Sequence, residues 1–208
     1  LKQYKKIQLT TEERKWLKKH PVIKVASDSA WAPFEFQDEN GKFHGVAIEY
    51  LKTFEETLGI KFEISKGLSW PELIDHVKNR KIDMFSCVAV TPERSEYLNF
   101  TDPYIRIPAK VFTRQQVKYI ENLSALEGKK VAVVEGYATQ DWVSHDYPDI
   151  ELILADSIVD ALEMLQQEEV YAFIGNQVTT GYYMGKAKIA DIKIAGDSIY
   201  MAASDEDQ

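Results

Sequence analysis

The chain has 208 residues, 45% of them hydrophobic and 28% charged, with 25 Lys and Arg against 33 Asp and Glu for a formal net charge of −8. That is a globular composition, long enough for one large domain or two small ones with real cores. The acidic balance argues against a general nucleic-acid binder, which needs a basic stripe to neutralise phosphates, and the longest apolar runs fall far short of the ~20 residues that span a bilayer.

Taken in chain order, residues 1–19 read as a polar lead-in ending in a short helix. The stretch LTTEERKWLKKHP offers Thr10 or Thr11 as cap, acids in the first turn, lysines in the last and Pro21 as a stop. VIKVAS is a strand, followed by the loop DSAWAPFEF and a turn at DENGK. GVAIEYLKTFEETLG has apolar residues at helical spacing and closes at Gly59. IKFEI is a strand, SWPELIDHVKNR a helix with Ser69 and Glu72 in capping-box spacing, and IDMFSCVAV a buried strand. The extended segment IRIPAKVFTRQ leads to a second set. It comprises strands KKVAVVE, IELIL and VYAFIG, helices ATQDWVSHDY, DSIVDALEMLQQEE and NQVTTGYYMGK, and strands near 192–195 and 198–203. Strands alternating with helices imply parallel sheets covered on both faces, here as two α/β lobes joined by hinge strands, with a cleft at the carboxyl ends of the strands.

Between the two sets lies VTPERSEYLNFTDPY. Thr91 suits an N-cap, Pro92 the first helical position and Glu93 the positive end of the helix dipole. Arg94 does not suit it: a cation in a first turn opposes the dipole by a few tenths of a kcal/mol to about 1 kcal/mol. Arg94 therefore either awaits an anion or pairs with a local acid such as Glu93 or Glu96.

Other chemistries find little support. The single cysteine, Cys87, rules out an internal disulfide and sits in an apolar run as a small buried residue. His20, His44, His76 and His145 are scattered without ligand spacing, so no metal site is expected. GKKVAVVEGYATQ lacks both the G-x-G-x-x-G pattern and a phosphate-loop lysine, and nothing calls for a cofactor. No signal peptide opens the chain, and both ends read as those of an excerpt from a longer protein.

WAPFEFQDENGKFHGVAIEYL, GLSWPELIDHVKNRKIDMFSCVAVTPERSEYLNFTDPY, LEGKKVAVVEGYAT and VYAFIGN resemble, in order, the signatures of the bacterial extracellular solute-binding proteins of family 3. The resemblance covers roughly residues 20–203. It implies a two-lobed, type II periplasmic-binding (Venus-flytrap) α/β fold with a lead-in at 1–19, lobe 1 at 20–108, lobe 2 at 109–197 and a return strand at 198–208. The fold normally closes with further C-terminal helices, and the chain stops at YMAASDEDQ as that return begins. The lead-in and the AFIGN ending look most like the flytrap sensor domains of BvgS-type membrane histidine kinases.

In that family the arginine of the T-x-x-R turn holds a ligand carboxylate, and Arg94 with Thr91 matches it; a guanidinium fork grips a carboxylate bidentately. Ser86 lies where a strand end supplies a hydroxyl. Trp31 and Trp70 match aromatic positions flanking the ligand, or else fill core. Asp28 either reads a distal amine or caps the turn leading to Trp31. In lobe 2 the acid that holds an α-ammonium group is replaced by Asn176, and the hydroxyl positions have become Ala89 in lobe 1 and Tyr137 and Ala138 in lobe 2, with Thr139 adjacent. An ammonium ion leaving water without a counter-charge loses several kcal/mol. The ligand expected is thus a small carboxylate rather than an ordinary α-amino acid. Tyr104 and Pro108 are the hinge candidates. The resemblance further implies a periplasmic, non-enzymatic sensory domain, tethered to the membrane by parts outside this chain, with a homodimer in the full sensor. A free receptor of an ABC transporter for amino acids or organic acids is the runner-up. An enzyme ranks third, since Asp28 and Glu135 are the only acid/base candidates.

Overall fold

A computed structural model describes residues 7–196, and the chain parts between Val88 and Ala89 into two compact units. The return strand expected at 198–203 lies outside the described residues.

In the first unit, helix α1 (Thr11–Lys19) starts at Thr10, whose hydroxyl accepts from the Glu13 N–H while the Glu13 carboxylate accepts from the Thr10 N–H. The helix buries no residue. Strand β1 (Val22–Ala26) follows, then β2 (Ala30–Trp31), β3 (Glu35–Gln37) and β4 (Phe43–His44). The stretch expected as a loop is therefore part of a small antiparallel sheet, with Trp31 opposite Glu35 and Phe36 opposite His44. The turn at Asp38 closes it: one carboxylate oxygen accepts from the Asn40 and Lys42 N–H groups. Helix α2 (Val46–Leu58) starts at Gly45, where φ is 117° and an added Cβ would lie 2.2 Å from the Phe34 carbonyl oxygen. Only glycine lets the chain pass so close to the strand that carries Glu35. The helix ends at left-handed Gly59, before β5 (Lys61–Ile64).

Helix α3 (Trp70–Lys78) opens with the Glu72 carboxylate accepting from both the N–H and the hydroxyl of Ser69. Strand β6 (Met84–Phe85) completes a parallel sheet of order β5-β1-β6. The long strand expected over 82–90 is thus reduced to two paired residues. Beyond Phe85 the Ser86 N–H still reaches the Ala26 carbonyl, but β1 has ended there and its chain turns toward Glu35, so the ladder has no partner. Val25, Phe43, Ile48 and Leu51 form a buried cluster in this unit.

The second unit begins with the one-turn helix α4 (Pro92–Ser95), capped by Thr91, and continues through β7 (Ala109–Arg114). Then come β8 (Lys130–Val134), α5 (Ala138–Asp146), β9 (Glu151–Ala155), α6 (Ile158–Gln166), β10 (Ala172–Asn176), α7 (Gln177–Ala187) and β11 (Ile192–Ile194). Their sheet has the order β11-β7-β10-β8-β9; β8 is parallel to β9 and β10, whereas β7 is antiparallel to β10 and β11. Alternate residues feed two buried clusters, Val111, Val131, Val133 and Ile174 in one and Phe112, Ala132, Val134 and Phe173 in the other. Period-2 alternation thus buries both faces, as parallel strands under helices require. Residues 89–108 cluster with this unit: Pro108 accepts from the Gln177 N–H at 3.0 Å, and Arg94 reaches Gly136.

Candidate functional site

In the second unit, polar side chains collect at the carboxyl ends of β8 and β10. Those strands are parallel, with Val131 opposite Ala172 and Ala132 opposite Phe173, so continuing the register brings Glu135 level with Asn176. Arg94, only 4% exposed, extends from α4 to this edge. Its two terminal nitrogens donate to the carbonyls of Ala89 at 3.0 Å and Gly136 at 2.8 Å. The Gly136 N–H is in turn held by the Gln140 side chain at 2.7 Å. Thr91 caps the turn, its hydroxyl accepting from the Arg94 N–H at 3.2 Å. Burial holds the guanidinium pKa below its ordinary value, outweighing the charges of Asp141, Tyr97 and Glu93 that favour the cation. Local acids therefore offset part of this charge, Asp141 first and the expected Glu93 among them.

Asn176, also buried, is the N-cap of α7: its side-chain oxygen accepts from the Val178 N–H at 2.9 Å and the Thr179 N–H at 3.1 Å. Two backbone donors fix which amide atom is the oxygen. Among the described residues the Nδ2 group is buried and has no hydrogen-bond partner, and the same holds for the hydroxyls of Thr179 and Thr180. Native interiors rarely leave such groups unpaired. Tyr137, half-buried, is the N-cap residue of α5 without a side-chain cap bond, and Thr139 is buried in that helix's first turn.

The first unit carries a second group. Asp28 caps its own turn, accepting from the Ala30 N–H at 2.8 Å, so of its two expected roles the cap is the one the geometry displays. Its N–H donates to Glu35, which also contacts the hydroxyls of Ser27 and Ser86. Trp31 packs on Phe34 at 4.9 Å between ring centroids and Trp70 on Phe85 at 5.3 Å; both indoles are half-buried. Tyr104 is exposed and Pro108 half-buried in the extended segment. Cys87 is half-buried rather than buried.

Sequence reasoning missed Glu35, Ser27, Gly136 and Asp141. The signal for Glu35 was present: an acid inside the apolar run APFEF has to find partners when buried. Among the described residues no group of three or more His, Cys, Asp and Glu could hold a metal, and no helix is long and apolar enough to cross a membrane.

Residues 23–181 match the bacterial extracellular solute-binding proteins, family 3. The chain belongs to that family. It is 27% identical over 186 residues to the virulence sensor protein BvgS of Bordetella pertussis, an alignment covering 89% of this chain and 15% of BvgS. It is 25% identical over 183 residues to a probable amino-acid ABC transporter-binding protein of Haemophilus influenzae, covering 87% of this chain and 70% of that protein. The crystal structure of the B. pertussis BvgS periplasmic VFT2 domain superposes with a TM-score of 0.77 at 27% identity, covering 92% of this chain and 80% of that one. The family 3 member described here thus has the mixed α/β fold of the two-lobed periplasmic binding proteins. It spans about one seventh of the length of the sensor it resembles, 15%.

Proposed function

We propose that this family 3 domain is an extracytoplasmic sensory domain of a membrane signalling protein. It binds a small carboxylate-bearing solute at Arg94 and signals by closure of its two lobes. The observation that carries the carboxylate is the state of Arg94. A guanidinium 4% exposed, held by two backbone carbonyls and only partly offset by acids, is stabilised further by an arriving carboxylate. Thr91, Tyr137, Thr139 and Asn176 belong to the same unit as Arg94, while Asp28, Ser86, Trp31 and Trp70 lie in the first unit.

The state of Asn176 supports a departure from amino-acid recognition. The side chain carries no charge for an ammonium group, and its carbonyl is engaged in the α7 cap. What remains is an N–H donor, which suits an acceptor on the solute. An aromatic or heterocyclic monocarboxylate fits this pattern better than a free α-amino acid.

The sensory role is supported by similarity to BvgS and by the capped, solvent-facing lead-in helix α1. Under this reading the membrane anchor lies in parts outside the chain, the full sensor is a homodimer, and the domain itself catalyses nothing. The likeness to the transporter-binding protein supports the alternative, a free receptor for amino acids or organic acids.

Titration calorimetry with nicotinate and benzoate against arginine and glutamine tests the solute class. The expected result is heat from the monocarboxylates that Arg94→Ala abolishes. Tight binding of the amino acids alone would sink the proposal.

A further inference from the structure

The side chain of Glu35 is 0% exposed, and two residues of the candidate site are bonded to it. Oε1 accepts from the Asp28 N–H at 2.8 Å. Oε2 meets the Ser27 hydroxyl at 2.9 Å and the Ser86 hydroxyl. The Ser86 oxygen also lies 3.1 Å from the Ala26 carbonyl oxygen, which already accepts from the Ser86 N–H at 2.9 Å.

Counting hydrogens distinguishes the two protonation states. A serine hydroxyl carries one hydrogen. Were Glu35 a carboxylate, Ser86 would donate to it, and the oxygens of Ser86 and Ala26 would face each other with no hydrogen between them. A proton on Oε2 completes the chain. Oε2–H donates to the Ser86 oxygen, Ser86 donates to the Ala26 carbonyl, Ser27 donates to the remaining lone pair of Oε2, and Asp28 N–H serves Oε1.

The surrounding charges agree with this count. Asp28, beyond β1, is an acid whose charge opposes ionisation of Glu35. On β4, His44 is engaged with Asp38 at 2.8 Å, and on α2, Glu49 is paired with Lys52 at 2.6 Å. Burial is the largest influence and pushes the Glu35 pKa from 4.5 up to about 8, against the hydrogen bonds from Ser86, Asp28 and Ser27.

We propose that Glu35 is a proton-holding positioning residue: neutral at physiological pH, it turns the Ser86 hydroxyl onto the Ala26 carbonyl. Deprotonation reverses the hydroxyl and leaves a buried charge beside Asp28.

The test is a carbon-13 NMR titration of the 208-residue chain labelled at the glutamate carboxyl carbons, with the Glu35 signal assigned through its bonds to the backbone. The expected midpoint is about 8 rather than near 4.5. An ionised Glu35 at about pH 6 would overturn the proposal. The stability profile is a second readout. A raised folded-state pKa gives stability that is fully present below 4.5 and is lost as pH rises through about 8. The wild-type melting temperature should therefore fall more steeply than that of Glu35→Gln from about pH 6 to about pH 9. Coincident profiles would also overturn it. Neither readout uses a solute, so failure here is separate from failure of the Arg94 reading.

Discussion

Glu35 in the first unit and Arg94 in the second are both buried beside the end of a parallel strand, and their surroundings treat charge in opposite ways. Around Glu35 the neighbours are hydroxyls, an N–H and another acid, a shell complete when the carboxyl is neutral. Around Arg94 they are carbonyls, with acids that offset burial only in part. Arginine does not deprotonate in proteins, so its unit must keep the cation. A carboxyl group has a neutral form available and uses it when desolvated. The difference teaches where a charged solute would be drawn: to the group whose charge cannot be removed by a proton.

The largest expected effect tests that contrast directly. Arg94→Ala should weaken nicotinate or benzoate binding by about 3–4 kcal/mol, more than a hundredfold, as loss of one partner of a buried charged pair does. Calorimetry showing unchanged affinity would remove Arg94 from the site. Next in size, Asn176→Ala should lower stability by about 1 kcal/mol in denaturant unfolding through loss of the α7 cap. A drop no larger than that of a surface substitution would show that the cap contributes little.

Thr180→Val asks whether the second unit keeps its orphaned hydroxyls at a cost. A buried hydroxyl without a partner is unfavourable, so the isosteric change should be neutral or stabilise by up to about 1 kcal/mol. Destabilisation would reveal a hydrogen bond to water. Asn176→Asp keeps the α7 cap, because aspartate caps as well as asparagine, and puts in place of Nδ2 a buried carboxylate oxygen that calls for a cation. The same variant should gain glutamine binding. Failure to gain it would show that the missing ammonium partner is not the determinant of solute class.

Helix starts were legible because their signals are local. Thr10, Ser69 and Thr91 act three residues from their partners, and each caps or boxes its helix. The small sheet around Glu35 was not legible, since strands of two and three residues carry too few positions for alternation to register. IDMFSCVAV misled for a related reason. Apolar alternation marks burial, whereas a ladder also needs a neighbour, and β1 stops at Ala26. Arg94 stood out as an electrostatic misfit, but its Gly136 contact, 42 residues away, left no trace in the local pattern.

By itself the sequence determined the alternation of strands and helices, the caps, the family and the suspicion attached to Arg94. Each of these depends on residues within a few turns of one another, or on motifs kept in order. Tertiary structure alone decided which buried group stays charged. That depends on what the fold packs against it: Ser86, 51 residues from Glu35, and the carbonyl at the end of β8 for Arg94. Desolvation and hydrogen-bond supply are properties of a place in space, and chain spacing does not encode them.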